Sequence, residues 1–280
     1  MHDERFSTVV GGLVFPEGLR WRRDRLWFTD VEARRVFCCD TNGIVLVAFD
    51  TEQHPVGLGW DTAAKLVIST LEQRLLRYDG RAVHGGIDLA ALVPHNGNDL
   101  VVDASGRAYY GSVGAPMDRP GEFIGAGSIV LVDLATATSR VVAEGLSFPN
   151  GMVLTPDRST LIVAESVGRC LTTFRVAADG SLSDRALFAN LDTIPDGICL
   201  DAEGAVWIAC PVTAEVQRIA RGGQILERLA AGRTVLDVEL GGDDGRTLYV
   251  ATAPDISHTR AGAGPHTGKI EQARVDVPGV

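Results

Sequence analysis

No stretch of this 280-residue chain approaches the roughly 18 uninterrupted apolar residues of a membrane-spanning helix. The opening MHDERFSTVV carries charges where a secretory signal would be apolar, so the expected compartment is the cytoplasm, with no membrane partner. Basic runs are also missing: none is longer than Arg22–Arg23 or Arg34–Arg35, and the formal charge is −10. Nucleic-acid binding needs a cationic face to displace phosphate counterions, so that class is set aside. The five cysteines (Cys38, Cys39, Cys170, Cys199 and Cys210) are odd in number and fit no zinc spacing, and are expected as buried reduced thiols. Aromatics make up only 6% of the chain, which suits sheets packed on Val, Leu, Ile and Ala. No serine sits on a Gly-x-Ser-x-Gly elbow, which removes support for Ser-His-Asp catalysis. Amphipathic helices are lacking as well; only Ile87–Leu92 could form a turn or two.

What the chain has is repetition. A short apolar strand, an Asp/Gly-rich bend and a second apolar strand recur six times, starting at Pro16, Pro55, Gly97, Pro149, Pro195 and Leu236. Successive starts lie 39, 42, 52, 46 and 41 residues apart, a period that signals a propeller with one repeat per blade. Within the first repeat, Arg25–Asp30, Arg35–Asp40 and Ile44–Asp50 follow the opening strand. The last two of these are joined through Thr41-Asn42-Gly43, whose Asn-Gly favours the positive φ of a hairpin turn. The segment from Gly18 to Asp50 therefore predicts one four-stranded blade. With no linker between repeats, the expectation is a single all-β domain over residues 1–280, a six-bladed propeller of four-stranded antiparallel blades. Thr8–Leu13 and Lys269–Val277 lie outside the six-copy frame and are expected to pair in one blade, closing an open sheet edge. The third repeat carries an insertion, Gly114–Gly127, rich in Gly and Pro and bearing Met117, Glu122 and Phe123, with the character of a lid or binding loop. The Gly-rich stretch His258–Gly268 is expected to be mobile.

The residue after each repeat's opening position is Glu17, Val56, Asn98, Asn150, Asp196 and Asp237. Equivalent positions of a propeller converge on its axis, so five oxygen-bearing side chains should meet at one end of the channel. Carboxylates crowded there, with no Lys or Arg at an equivalent position, repel one another unless a cation neutralises them. All the candidate ligands are oxygens, which favours calcium, magnesium or manganese over structural zinc. Of Asp237 and Glu239, the repeat register selects Asp237 for the channel. His54 and His95 stand just before the second and third repeats and are candidate proton shuttles.

Four segments together carry a resemblance: Phe15–Gly18 (FPEG), Gly97–Asp103 (GNDLVVD), Phe148–Met152 (FPNGM) and Pro195–Ala209 (PDGICLDAEGAVWIA). The set resembles the senescence-marker-protein/regucalcin/gluconolactonase family, over nearly the whole chain. That resemblance implies a six-bladed propeller with one divalent metal on its axis. Calcium is the first expectation, with zinc, manganese, magnesium and iron left open. It implies metal ligation by Glu17, Asn150 and Asp196, a role for Asn98 near metal and substrate with Asp99 as its neighbour, and Asp196 as general base. It also implies hydrolysis of a sugar lactone or related ester.

The chain departs from the pattern at Asn96, where sugar-lactonase members carry an arginine that grips substrate hydroxyls. The expected function is therefore metal-dependent hydrolysis of a lactone or similar cyclic ester, with Asp196 and Asn98 at the chemistry. Asn98, Asn96, Glu122 and Phe123 are the expected contacts to a small-molecule substrate. The alternatives are hydrolysis of another ester, such as a phosphotriester or phenolic ester, and a non-catalytic calcium-binding propeller. A monomer or small homo-oligomer is expected.

Overall fold

A computed structural model describes residues 2–116, 120–254 and 266–280. Met117 and most of the stretch 258–268 lie outside the described residues. The chain is an all-β, six-bladed propeller with four-stranded antiparallel blades. The first blade is β2 (Pro16–Trp21), β3 (Leu26–Asp30), β4 (Arg35–Cys39) and β5 (Val45–Asp50), the four strands that alternation and turn chemistry predict. The second runs from β6 (Pro55–Trp60) through β7 (Leu66–Thr70) and β8 (Arg74–Tyr78) to β9 (Val83–Asp88). The third joins β10 (Gly97–Val102), β11 (Arg107–Ser112), β12 (Gly127–Asp133) and β13 (Ser139–Leu146); the fourth is β14 (Pro149–Leu154) to β17 (Leu182–Asn190). The fifth is β18 (Ile198–Leu200), β19 (Val206–Cys210), β20 (Glu215–Ile219) and β21 (Ile225–Ala230).

The last blade takes β22 (Thr234–Gly241), β23 (Thr247–Ala253) and β24 (Gly268–Arg274) from the C-terminal end, and its outer strand β1 (Ser7–Leu13) from the N-terminal end. β1 pairs antiparallel with β24, so both ends of the chain close one sheet, as the two orphan strands predict. Ile87 lies in β9, with a turn only at 90–92. Among the described residues the single helical element is a 3-10 turn, Pro120–Phe123, inside the insertion.

The Asp/Gly bends have a shared mechanism. Asp61, Asp103 and Asp201 each accept, through Oδ1, backbone N–H bonds from residues two and four positions on, at 2.8–3.0 Å. This side-chain cap replaces the strand ladder for the length of the turn. Between blades the faces pack dry: Trp207, Val216, Val238, Leu248 and Val250 join the fifth and sixth, for instance, and Leu100, Tyr110 and Val67 the second and third. The five cysteines are unpaired, four of them buried.

Candidate functional site

The inner strands begin at one end of the propeller, and there Glu17, Val56, Asn98, Asn150 and Asp196 line a single cavity of about 300 Å³. The glycine that follows four of these residues makes the convergence sterically feasible. Gly18 has φ 60°, and a Cβ there would sit 2.0 Å from the Val56 carbonyl oxygen, so only glycine lets β2 tuck against β6. Gly197 plays the same part after Asp196, where a Cβ would fall 1.8 Å from Asp237 Oδ1.

The floor is electrostatically strained. Burial, followed by the charges of Asp196, Asp237 and Asp99, pushes the Glu17 carboxyl well above the ordinary range. Asp196 is 8% exposed, and burial pushes its carboxyl up to about 7 against the opposing hydrogen bond from Asn150. Asn150 Nδ2 donates to Asp196 Oδ1 and, at 3.1 Å, to Ser166 Oγ. Ser166 in turn donates to the Pro195 carbonyl at 2.8 Å. With its N–H groups so engaged, Asn150 has its amide oxygen left as donor atom for a cation.

Below the floor the structure corrects the sequence reading twice. In β2 the pairs Pro16↔Asp30 and Arg20↔Trp27 bracket Glu17, Gly18 and Leu19. In β22 the pairs Val235↔Thr252 and Glu239↔Tyr249 bracket Leu236, Asp237 and Val238. Leu236 therefore stands at the Glu17 position, and Asp237 matches Gly18 and, in the third blade, Asp99. Asp237 is not among the cavity-lining residues; its Oδ2 accepts the Leu19 N–H at 2.6 Å, tying β22 to β2 across the ring closure. Glu239 turns to the same neighbour, as residues two apart on a strand must, and accepts the Trp21 N–H at 3.0 Å. The second correction is a cation: Arg20, three residues beyond Glu17, enters the channel. Its Nη2 donates to Asp99 Oδ1 and Oδ2 at 2.8 and 3.0 Å and to the Leu100 carbonyl at 2.9 Å. The charges of Asp99, Asp237 and Glu239 all bear on it. The repeat frame hid this residue because the frame compares positions, and only one blade carries an arginine there.

The remaining expected contacts divide. Phe123 lines the cavity and is 3% exposed, packed with Val113, Ala115, Phe148 and Val167. Its ring meets Phe148 edge-on at 4.8 Å. Glu122 is exposed and is not among the lining residues. Asn96 is not among them either; its amide donates to the Leu71 carbonyl at 3.4 Å, and its own carbonyl accepts the Val113 N–H at 3.1 Å. His54 is held outside the lining between Arg34 and Glu72, with Nδ1 2.5 Å from Glu72 Oε1, and His95 is likewise off the lining. The walls were not singled out from the sequence: Phe15, Val31, Leu71, Phe148, Val167, Ile194 and Pro211. Phe15 and Phe148 were legible, since each precedes the proline of its strand. The loops bearing them are pinned by carboxylates at the ends of the second strands: Asp30 accepts Val14 and Phe15 N–H at 2.9 Å, and Glu165 accepts Ser147 N–H at 2.7 Å.

Among the described residues no group of three His, Cys, Asp or Glu side chains could hold a metal ion by itself. The floor instead mixes two carboxylates with amide oxygens, all hard donors. No Lys, Arg or His among the described residues lines the cavity to neutralise them, since Arg20 is committed to Asp99 below. That donor chemistry fits a hard divalent cation. No helix among the described residues is long and apolar enough to cross a membrane.

Comparison with known proteins agrees with this geometry. The SMP-30/gluconolactonase/LRE-like region matches residues 15–254. The 6-deoxy-6-sulfogluconolactonase of Pseudomonas putida is 30% identical over 188 residues, covering 65% of this chain and 62% of that relative's length. Pentonolactonase XacC of Haloferax volcanii is 30% identical over 280 residues, covering 93% of this chain and 90% of the relative. In fold, the chain superposes on a calcium-binding protein, regucalcin from Agrobacterium tumefaciens, with a TM-score of 0.80 at 21% identity, covering 98% of this chain and 96% of that one. With its propeller, its floor of oxygen donors and this match over most of its length, the chain belongs to the SMP-30/gluconolactonase/LRE-like family.

Proposed function

We propose that the protein is a divalent-metal-dependent hydrolase of a lactone or similar cyclic ester. The observation that carries this reading is the cavity floor, where Glu17, Asn150 and Asp196 present hard oxygen donors beside one another without a cation among the lining residues. Lactonases among the relatives support the reaction class, and the calcium-binding regucalcin supports the kind of ion.

Glu17, Asn150 and Asp196 would hold the ion, calcium being the first candidate. When bound, it polarises the substrate carbonyl and stabilises the charge that develops on its oxygen, worth several kcal/mol of barrier. Asn98 orients the substrate through its amide. Asp196 takes a proton from water through the carboxylate oxygen that Asn150 does not hold. That water adds to the carbonyl carbon, the ring C–O bond breaks, and the departing alkoxide takes the proton from Asp196, which regenerates the carboxylate and leaves the open hydroxy acid. Ser166 fixes the amide of Asn150 and so keeps the two neighbouring floor residues in one arrangement.

The test is a lactone panel assayed with metal-stripped and metal-restored protein. The expected result is turnover that vanishes on chelation and returns with one equivalent of a divalent ion. Stoichiometric ion binding with no hydrolysis of any lactone or ester would overturn the proposal and leave a non-catalytic calcium-binding propeller.

A further inference from the structure

Beside the oxygen donors Glu17, Asn98, Asn150, Ser166 and Asp196, and Glu32 on the wall, the lining of the cavity is apolar. Five blades contribute hydrocarbon: Phe15 and Val31 from the first, Leu71 from the second, Phe123 from the third, Phe148 from the fourth and Ile194 from the fifth. Even within the ring of inner positions Val56 interrupts the oxygens. This lining is built firmly. Phe148 holds a left-handed backbone conformation, φ 64°, uncommon for a bulky residue, and its carbonyl accepts the Ser166 N–H at 2.9 Å.

From this arrangement we infer that the cavity selects neutral lactones bearing an alkyl or aryl substituent, and rejects polyhydroxylated and anionic ones. The inference rests on the lactone-hydrolase reading and narrows it. Three physical arguments lead to it. The volume of about 300 Å³ equals the liquid share of about ten waters, room for a small lactone ring and a short chain.

The second argument is hydrogen bonding. The Asn150 N–H groups and the Ser166 hydroxyl proton are spent within the protein, on Asp196, Ser166 and Pro195. Once the reacting carbonyl is held at the floor, Asn98 and the Glu32 carboxylate are the main polar side chains left for the several hydroxyls of a sugar lactone, and Asn98 is the one that can donate. Each hydroxyl buried without a partner costs about fivefold to a hundredfold in binding. A substituent methylene on the same walls gains about fourfold.

The third argument is charge. Among the described residues no Lys, Arg or His lines the cavity, and Glu32 adds a further carboxylate to its wall. A divalent ion balances only Glu17 and Asp196, so a phosphate or sulfonate on the substrate meets net negative charge.

The experiment measures kcat/KM of the metal-loaded protein for γ-lactones with side chains of one to five carbons, for an aryl-fused lactone, and for glucono-1,5-lactone and its 6-phosphate. Calorimetric binding of the corresponding non-hydrolysable lactams is measured in parallel. The expected result is a rise of about fourfold per methylene until the cavity is full, with both sugar lactones at least about a hundredfold below the best alkyl lactone. Lactam affinities should follow the same order. A flat chain-length series, or a preference for the sugar lactones, overturns the inference and leaves the hydrolase reading intact. Tight alkyl-lactam binding without turnover does the reverse: it sustains the cavity's selectivity and removes the hydrolase.

Leu71→Arg supplies the missing cation at a half-buried wall position and should raise relative activity on the 6-phosphate about tenfold or more. A folded Leu71→Arg protein that still rejects the 6-phosphate as strongly overturns the charge argument. If that variant fails to fold, the chain-length series on the native protein still decides.

Discussion

Replacing Arg20 by leucine tests the charge arrangement beneath the floor. Arg20 bonds both oxygens of Asp99, and the two side chains are only 15% and 11% exposed. Removing one partner of a buried ion pair leaves the other charge uncompensated, typically at about 3–5 kcal/mol. The upper part of that range is expected because Asp237 and Glu239 also lose the cation they share. For a urea slope of about 3 kcal/mol per molar, the midpoint at pH 8 should fall by about 1–1.7 M. The loss should depend on pH with a definite sign. Burial raises the Glu239 carboxyl to about 7 and lifts Asp237 well above the ordinary range. A carboxyl raised in the folded state contributes stability that is fully present below its unfolded value. That stability is lost as the pH climbs through the folded value, here between about 4 and 7 for Glu239. Without Arg20 both groups rise further, so the deficit of the variant should be full at pH 8 and roughly halved at pH 5. Urea denaturation of both proteins at the two pH values, with chelator throughout, reads this directly. Adding Asp99→Asn should recover part of the loss. A deficit below about 1 kcal/mol, or one equal at both pH values, would refute the assignment of Arg20 as counter-ion.

Glu17→Gln and Asp196→Asn should each lower metal affinity and abolish turnover in the folded protein, yet raise the denaturation midpoint in chelator, because each relieves repulsion between desolvated carboxyls; full metal occupancy by elemental analysis would count against the ligand set. Phe123→Ala should lower the melting temperature by several degrees as well as alter KM, since a ring only 3% exposed is packed wall and cavity lining together; altered kinetics at an unchanged melting temperature would instead favour a free lid. Gly197→Ala should destabilise by more than about 2 kcal/mol, because its Cβ would meet Asp237 Oδ1 at 1.8 Å and Asp237 Cα at 2.7 Å; a midpoint within error of the native protein would refute this close approach of the fifth and sixth blades.

The blades and their closure were legible in the sequence because their causes are local. Strand alternation, Asp-capped bends such as Asp61 and Asp103, and an Asn-Gly hairpin act within a few residues, and six copies remove the ambiguity that one would leave. The convergence of Glu17, Asn98, Asn150 and Asp196 on one cavity was legible for a related reason: a closed ring of repeats carries equal sequence positions to equal radii. What the sequence left undetermined is everything that depends on how blades meet. Asp237 looked equivalent to Glu17 until the pairing of β22 with β23 put Leu236 at that position, a one-residue offset that takes the carboxylate from the mouth to the Leu19 amide. Arg20 became a channel cation only because β2 and β10 flank β6 from either side, close enough for its guanidinium to reach Asp99. The apolar walls combine residues from five blades, and apart from Phe15 and Phe148 before their prolines these share no motif along the chain. Repetition fixes where equivalent residues go; only tertiary packing decides which unlike neighbours they meet, since contacts across blades are set by shape and charge at distances in sequence that no local pattern spans.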